Sequence, residues 1–185
     1  MKRSLAILFC AAALISGCKT SKPVPESQPA IAVQEEVKPV NPYAEQSTWV
    51  LGYFNRNRLM IPPHSEWFQK GYDEYNFNTA AVNSLTDLPK DGITIKIVLG
   101  TWCPDSRRET PRFLRIIDLW QFPQDKITFI GVDNSKLSPV GEYESLDIQR
   151  VPTFIFYKNN VEVGRIIENP VTSLEQDIVN ILTKE

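Results

Sequence analysis

Histidine is almost missing from this chain and cysteine is scarce: one histidine and three cysteines in 185 residues. So few ligating side chains exclude a zinc-finger array, and three cysteines cannot staple a disulfide-rich miniature. An excess of positive charge is also lacking. Twenty basic side chains face 22 acidic ones, for a formal net charge of −2 and a pI near 5.6, which excludes a basic nucleic-acid-binding surface. Glycine-rich phosphate loops and internal repeats are absent, so no nucleotide cofactor is expected. With one histidine, no metal site is expected either. What remains is 42% hydrophobic and 10% aromatic, too apolar for wholesale disorder and long enough for one domain with extensions.

The first eighteen residues read as an export signal. Lys2 and Arg3 make a positive start, Leu5 to Ile15 is apolar, and Ser16 and Gly17 precede Cys18. The apolar run falls short of the ~20 residues that span a bilayer. Leu14-Ile15-Ser16-Gly17-Cys18 resembles the lipobox of bacterial lipoproteins, where cleavage leaves the cysteine as a lipidated N-terminus. Residues 1–17 are therefore expected to be a signal peptide, with Cys18 the lipidation site and the membrane a partner through its lipid. Cys10 is removed with the signal and Cys18 becomes a thioether, which leaves Cys103 as the one free thiol. Losing Lys2 and Arg3 takes the formal charge from −2 to −4. Residues 18–42, with five prolines among Ser, Gln, Glu and Lys, read as an extended tether.

Residues 43–91 are expected to form a helical extension. Trp49, Val50, Tyr53 and Phe54 recur at helical spacing, as do Trp67, Phe68, Tyr72 and Tyr75 between Ser65 and Asn76. Pro62-Pro63 breaks the run, and Pro89-Lys90-Asp91-Gly92 is turn chemistry. The aromatic stripe is read as core. Beyond it strand and helix alternate. Ile93 to Leu99 is a buried strand, Pro104 to Trp120 a helix opened by proline, and Ile127 to Val132 a second strand. A polar loop from Asp133 to Gln149 follows, then a hairpin of Thr153 to Tyr157 and Val161 to Ile167, and a closing helix from Ser173 to Thr183. The pattern predicts an α/β fold: a mixed sheet with helices on both faces.

Cys103 falls at the junction of the first of these strands and its helix, in Thr101-Trp102-Cys103-Pro104-Asp105-Ser106-Arg107-Arg108. A sulfur there lies over the unsatisfied N–H groups of the first helical turn, which favour a thiolate, and Arg107 and Arg108 add positive potential. A buried apolar cysteine is the ordinary alternative.

Residues 92–185 resemble the thioredoxin-like superfamily. Trp102-Cys103-Pro104-Asp105-Ser106 matches that family's Trp-Cys-x-x-Cys motif except at the last position. Pro111 matches its kink-forming helical proline, Val151-Pro152-Thr153 its cis-proline loop, and Thr153 to Val161 its last hairpin. The resemblance implies a thioredoxin-like central sheet flanked by helices. It implies a site of Cys103, Ser106, Trp102 and Pro152, with Val151, Thr153 and Arg107 on the substrate side. Ser106 stands where the resolving cysteine belongs, and Ile97 where a buried acid often sits, so the dithiol cycle is closed to this chain. The Ser106 hydroxyl is expected to hydrogen-bond the Cys103 sulfur.

Two functions follow as expectations. One is a monothiol thiol-disulfide oxidoreductase, in which Cys103 attacks mixed disulfides or sulfenic acids on protein or low-molecular-weight partners and an external thiol completes the cycle. The other is a redox-inactive module that docks extended peptides or a partner protein in the cell envelope, with Cys103 a relic. A monomer, lipid-anchored in the cell envelope and facing the periplasm, is expected in both. A cysteine hydrolase would need His64 as base, and a capping or surface role suits that residue better. Asp133 and Asn134 after a strand are accounted for by a turn rather than calcium.

Overall fold

The computed structural model describes residues 45–184; the stretches expected to be an export signal (1–17) and a tether (18–42), with Cys18, lie outside the described residues. Strand β2 (Ile93–Leu99) shows why a layered fold follows from this sequence. Ile93, Ile95, Ile97 and Leu99 are buried in one apolar cluster, while Val98 belongs to a second cluster on the opposite face. The other strands are β1 (Gly52–Phe54), β3 (Ile127–Gly131), β4 (Thr153–Lys158) and β5 (Val161–Ile167), and the sheet runs β1-β3-β2-β4-β5. β2 and β3 are parallel, with Ile95 opposite Ile127; β2/β4, β4/β5 and β1/β3 are antiparallel. The α/β sheet with flanking helices is thus the architecture of the chain.

The stretch Trp49–Phe54 departs from the helical reading. Gly52–Phe54 is an edge strand, with Gly52 opposite Gly131 and Phe54 opposite Phe129, their rings 5.4 Å apart. Two glycines allow the close crossing. Gly52 adopts φ +75°, and a Cβ on Gly131 would lie 2.0 Å from the Val50 carbonyl oxygen. Helical spacing of aromatics cannot reveal a partner strand that lies about eighty residues away.

Helices α1 (Ser65–Asp73), α2 (Thr79–Thr86), α3 (Pro104–Leu119) and α4 (Leu174–Thr183) all send buried side chains into the cluster that holds Ile95 and Ile97. Among the described residues the expected two-sided helix cover is therefore replaced by a one-sided one. The opposite face is closed by the segment after β3, whose 3₁₀ turn Tyr143–Leu146 packs on Val98, Ile130 and Ile155. The Asp133 carboxylate opens that segment by accepting from the N–H groups of Ser135 and Leu137, which is turn chemistry.

The extension is fastened to α3 twice. Arg56 makes a bidentate pair with Asp118 at 2.7 and 2.8 Å, and the Tyr72 hydroxyl donates to the same carboxylate at 2.6 Å. Burial pushes Asp118 upward, but the bonds from Arg56 and Tyr72 outweigh it and hold the carboxyl below its ordinary range. Closer to the site, α1 lies on α3 so tightly that a Cβ on Gly71 would stand 2.6 Å from the Pro111 ring.

His64 differs from the capping or surface residue expected. It occupies the N-cap position of α1 without a side-chain capping bond and is fully buried beside Trp67, ring centroids 5.9 Å apart. Burial first, then the charges of Arg58 and Arg107, lower its pKa to about 4. At neutral pH it is an uncharged core group.

Gly71→Ala tests the α1–α3 contact. Alanine stabilises an open helix by up to ~1 kcal/mol, but here it should destabilise by about 1–3 kcal/mol, read as a lower denaturant midpoint. Adding Pro111→Ala should recover most of that loss; a stabilised single variant would refute the packing. His64 makes a pH prediction. Its folded pKa lies below the unfolded value, so the unfolded chain takes the proton first. Stability should fall between pH ~6.5 and ~4 by about 3 kcal/mol in all and be unaffected by this group above that window. The single imidazole resonance should titrate near 4, and a midpoint near 6.5 would place the ring in water.

Candidate functional site

β2 ends at Leu99, whose carbonyl accepts the Val132 N–H at 3.0 Å, and the chain turns through Gly100-Thr101-Trp102 into α3. Each residue of the turn is pinned by a different neighbour. The Gly100 N–H donates to the Ser106 Oγ at 3.2 Å, and the Gly100 carbonyl accepts from the Cys103 N–H at 2.9 Å. The buried Thr101 hydroxyl accepts from the Val50 N–H at 3.1 Å, which ties the extension to the turn. The Trp102 indole donates to the Val132 carbonyl at 3.0 Å and lies back over Gly100, where any Cβ would come within 2.5 Å of the ring nitrogen. Trp49 covers Trp102, ring centroids 6.4 Å apart.

Cys103 is the N-cap residue of α3, with Pro104 opening the helix, and its thiol is free and 7% exposed. Its sulfur does not cap the helix. The thiol instead donates to the Val151 carbonyl at 3.3 Å, into the apolar cluster of Val98, Ile130 and Val151. The site is therefore more enclosed than a strand end followed by proline suggests. Ser106 also departs from expectation. It is fully buried and, in place of the sulfur, serves the Gly100 amide, a backbone donor that would otherwise lack an acceptor.

The loop before β4 faces the thiol. Its Val151–Pro152 peptide is cis. The Thr153 hydroxyl donates to the Arg150 carbonyl at 2.6 Å, and the Pro152 carbonyl accepts from the Glu168 N–H at 2.7 Å. Val151 thus meets Cys103, with Trp102 packed on the same cluster, where β2 ends and the loop of Val151 to Thr153 begins β4. Arg107 is placed elsewhere, in a cleft of about 490 Å³ between α1 and α3 with Lys70, Tyr75, Arg108 and Arg112. Its charge bears on His64. Arg108 is engaged by Asp105, Glu109 and Asn169. Among the described residues no group of three or more His, Cys, Asp or Glu side chains could hold a metal ion.

Trp49, Val50 and Thr101 belong to this site and carry no local sequence signal. Val50 and Thr101 meet across fifty-one positions. Only the run of Trp49, Tyr53 and Phe54 hinted that the segment packs on something.

No family model matches the chain. Among curated proteins, a putative thioredoxin-5 from Dictyostelium discoideum is 32% identical over 96 residues, covering 52% of this chain and 88% of that protein. Thioredoxin H9 of Arabidopsis thaliana is 26% identical over 101 residues, 54% of this chain and 68% of the relative. A thioredoxin-like protein of Acanthamoeba polyphaga mimivirus is 27% identical and is matched over 61% of its length. A solved Pseudomonas aeruginosa protein of unknown function, 15% identical with a TM-score of 0.44, covers 64% of this chain and 78% of its own and carries no argument. With most of the Dictyostelium relative matched at about a third identity, the chain belongs to the thioredoxin-like superfamily.

Proposed function

We propose that the protein is a monothiol thiol-disulfide oxidoreductase. The observation that carries this reading is the position of Cys103. It is the free thiol at the N-cap of a sixteen-residue helix, and the fourth position of the motif holds a serine already engaged by the Gly100 amide. In the first step the Cys103 thiolate attacks one sulfur of a client disulfide. A Cys103–client disulfide forms, the client S–S bond breaks, and the other client sulfur leaves as a thiolate. In the second step an external thiolate attacks the client sulfur of that adduct. It forms a new disulfide with the client and returns Cys103 as thiolate, so the protein undergoes no net oxidation. A client sulfenic acid enters by the same adduct, with hydroxide as the leaving group.

Clients are thiols and disulfides of proteins or small molecules. The sequence before residue 43 supports a placement on an envelope membrane through lipid on Cys18, facing the periplasm.

The burial of Cys103 and its bond to Val151 favour a second reading, in which the fold docks an extended peptide without exchange chemistry. Cys103→Ala separates the two. Under the first reading, reduction of a peptide mixed disulfide falls to the uncatalysed background, and under the second nothing changes. Ser106→Cys should allow the trapped adduct to resolve without added thiol, about 100-fold faster than wild type, because the attacking sulfur is now intramolecular. If wild type already releases its adduct unaided, the monothiol cycle is wrong. Cys18→Ala should move the protein from the membrane to the soluble fraction; unchanged partition removes the anchor.

A further inference from the structure

The Cys103 thiol turns toward Val151, and the exchange chemistry makes no use of the basic cleft between α1 and α3. That cleft, of about 490 Å³, has room for a small organic molecule. Lys70 of α1 and Arg107, Arg108 and Arg112 of α3 line it, against one carboxylate, Glu74. The cations differ in what they have left to give. Arg108 is satisfied by Asp105, Glu109 and Asn169. Lys70 is exposed and forms no ion pair with a described residue. Arg112 gives only Nη1 to Glu109, at 3.0 Å, and its guanidinium lies 5.5 Å from the centroid of the Tyr75 ring.

Both supports of Arg112 are themselves fixed. Glu109 is 3% exposed and also accepts from Arg108 at 2.6 Å, and the Tyr75 hydroxyl donates to buried Glu175 at 2.9 Å. Arg112 is therefore held at two points, while its Nε and Nη2 edge has no acceptor among the described residues. That edge is the planar fork that receives an oxyanion through two parallel hydrogen bonds. A different side chain points to the same kind of ligand. Trp67 lines the cleft, and its buried indole N–H has no acceptor among the described residues. Such a group costs free energy that a ligand oxygen would remove.

We propose that the cleft binds a small organic acid, its carboxylate received by Arg112 and Lys70 and its carbon body set against Trp67 and Tyr75. Charge selects the carboxylate. Among the lining residues and their described ion-pair partners, four cations meet the carboxylates of Glu74, Asp105 and Glu109. The single positive charge in surplus suits one carboxylate and falls short of a phosphate dianion. The aromatic lining suits a ligand with an apolar body over an inorganic ion.

The test titrates the full chain and follows its indole N–H resonances, with Trp67→Phe assigning the Trp67 signal. Benzoate is the probe, compared with its uncharged counterpart benzamide and with inorganic phosphate. Benzoate should move the Trp67 signal saturably and benzamide should not, while phosphate should bind about tenfold more weakly. Arg112→Lys, which keeps the charge and loses the fork, should weaken benzoate about tenfold. Lys70→Gln, at an exposed position that leaves the fold intact, should weaken it severalfold, and Glu74→Gln should tighten it. Cys103→Ala should bind as wild type does, so the cleft and the exchange reading fail separately. The proposal is overturned by the absence of a saturable shift with benzoate, by phosphate bound as tightly as benzoate, or by unchanged affinity in Arg112→Lys or Lys70→Gln.

Discussion

The register of β2 is the constraint from which the site follows. Its parallel pairing to β3 and antiparallel pairing to β4 leave no freedom along the strand axis, because a slip of one residue would exchange Ile95 and Ile97 for Thr94 and Lys96 in the core. That register places Leu99 opposite Gly131 and Val98 opposite Thr153. The turn to α3 therefore begins beside the loop that carries Val151, and the thiol meets a carbonyl forty-eight positions away. Nothing near Cys103 in sequence produces that encounter.

The polar groups at the turn show how a site with one ionisable side chain is still closely determined. The Ser106 and Thr101 hydroxyls each accept from a group that the protein must satisfy in any case, the backbone amide of Gly100 in the turn itself or of Val50. Ser106 is the instructive residue. Its hydroxyl accepts from the Gly100 amide and clamps the turn, work that a sulfur, a poor acceptor, would do badly.

What was legible in the sequence was what local pattern controls. β2, α3 and the β4–β5 hairpin follow from alternation, from proline at a helix start and from Asn159-Asn160, both of which take positive φ in the turn. Cys103, Trp102 and the loop of Val151 to Thr153 were singled out by motif. Residues 49–54 were misread because a three-residue strand is too short to show a period and its partner lies far along the chain. The one-sided helix cover was missed for a related reason. The segment after β3 closes the second face with one short turn and a few apolar side chains, and its polar composition reads as a loop. The partners of Ser106 and of the Cys103 sulfur were illegible because both choices depend on which backbone groups the turn leaves unpaired.

The carboxylate of Glu175, buried at the start of α4, accepts from the Tyr75 hydroxyl and the Asn78 amide, both about a hundred positions earlier. Those donors acquire their acceptor only when the last ten residues of the domain have arrived, and α2 has only then the helix α4 to pack against. Contacts of such sequence separation make folding slow and late. A chain emerging from its N-terminus accordingly carries an incomplete core until α4 has been made.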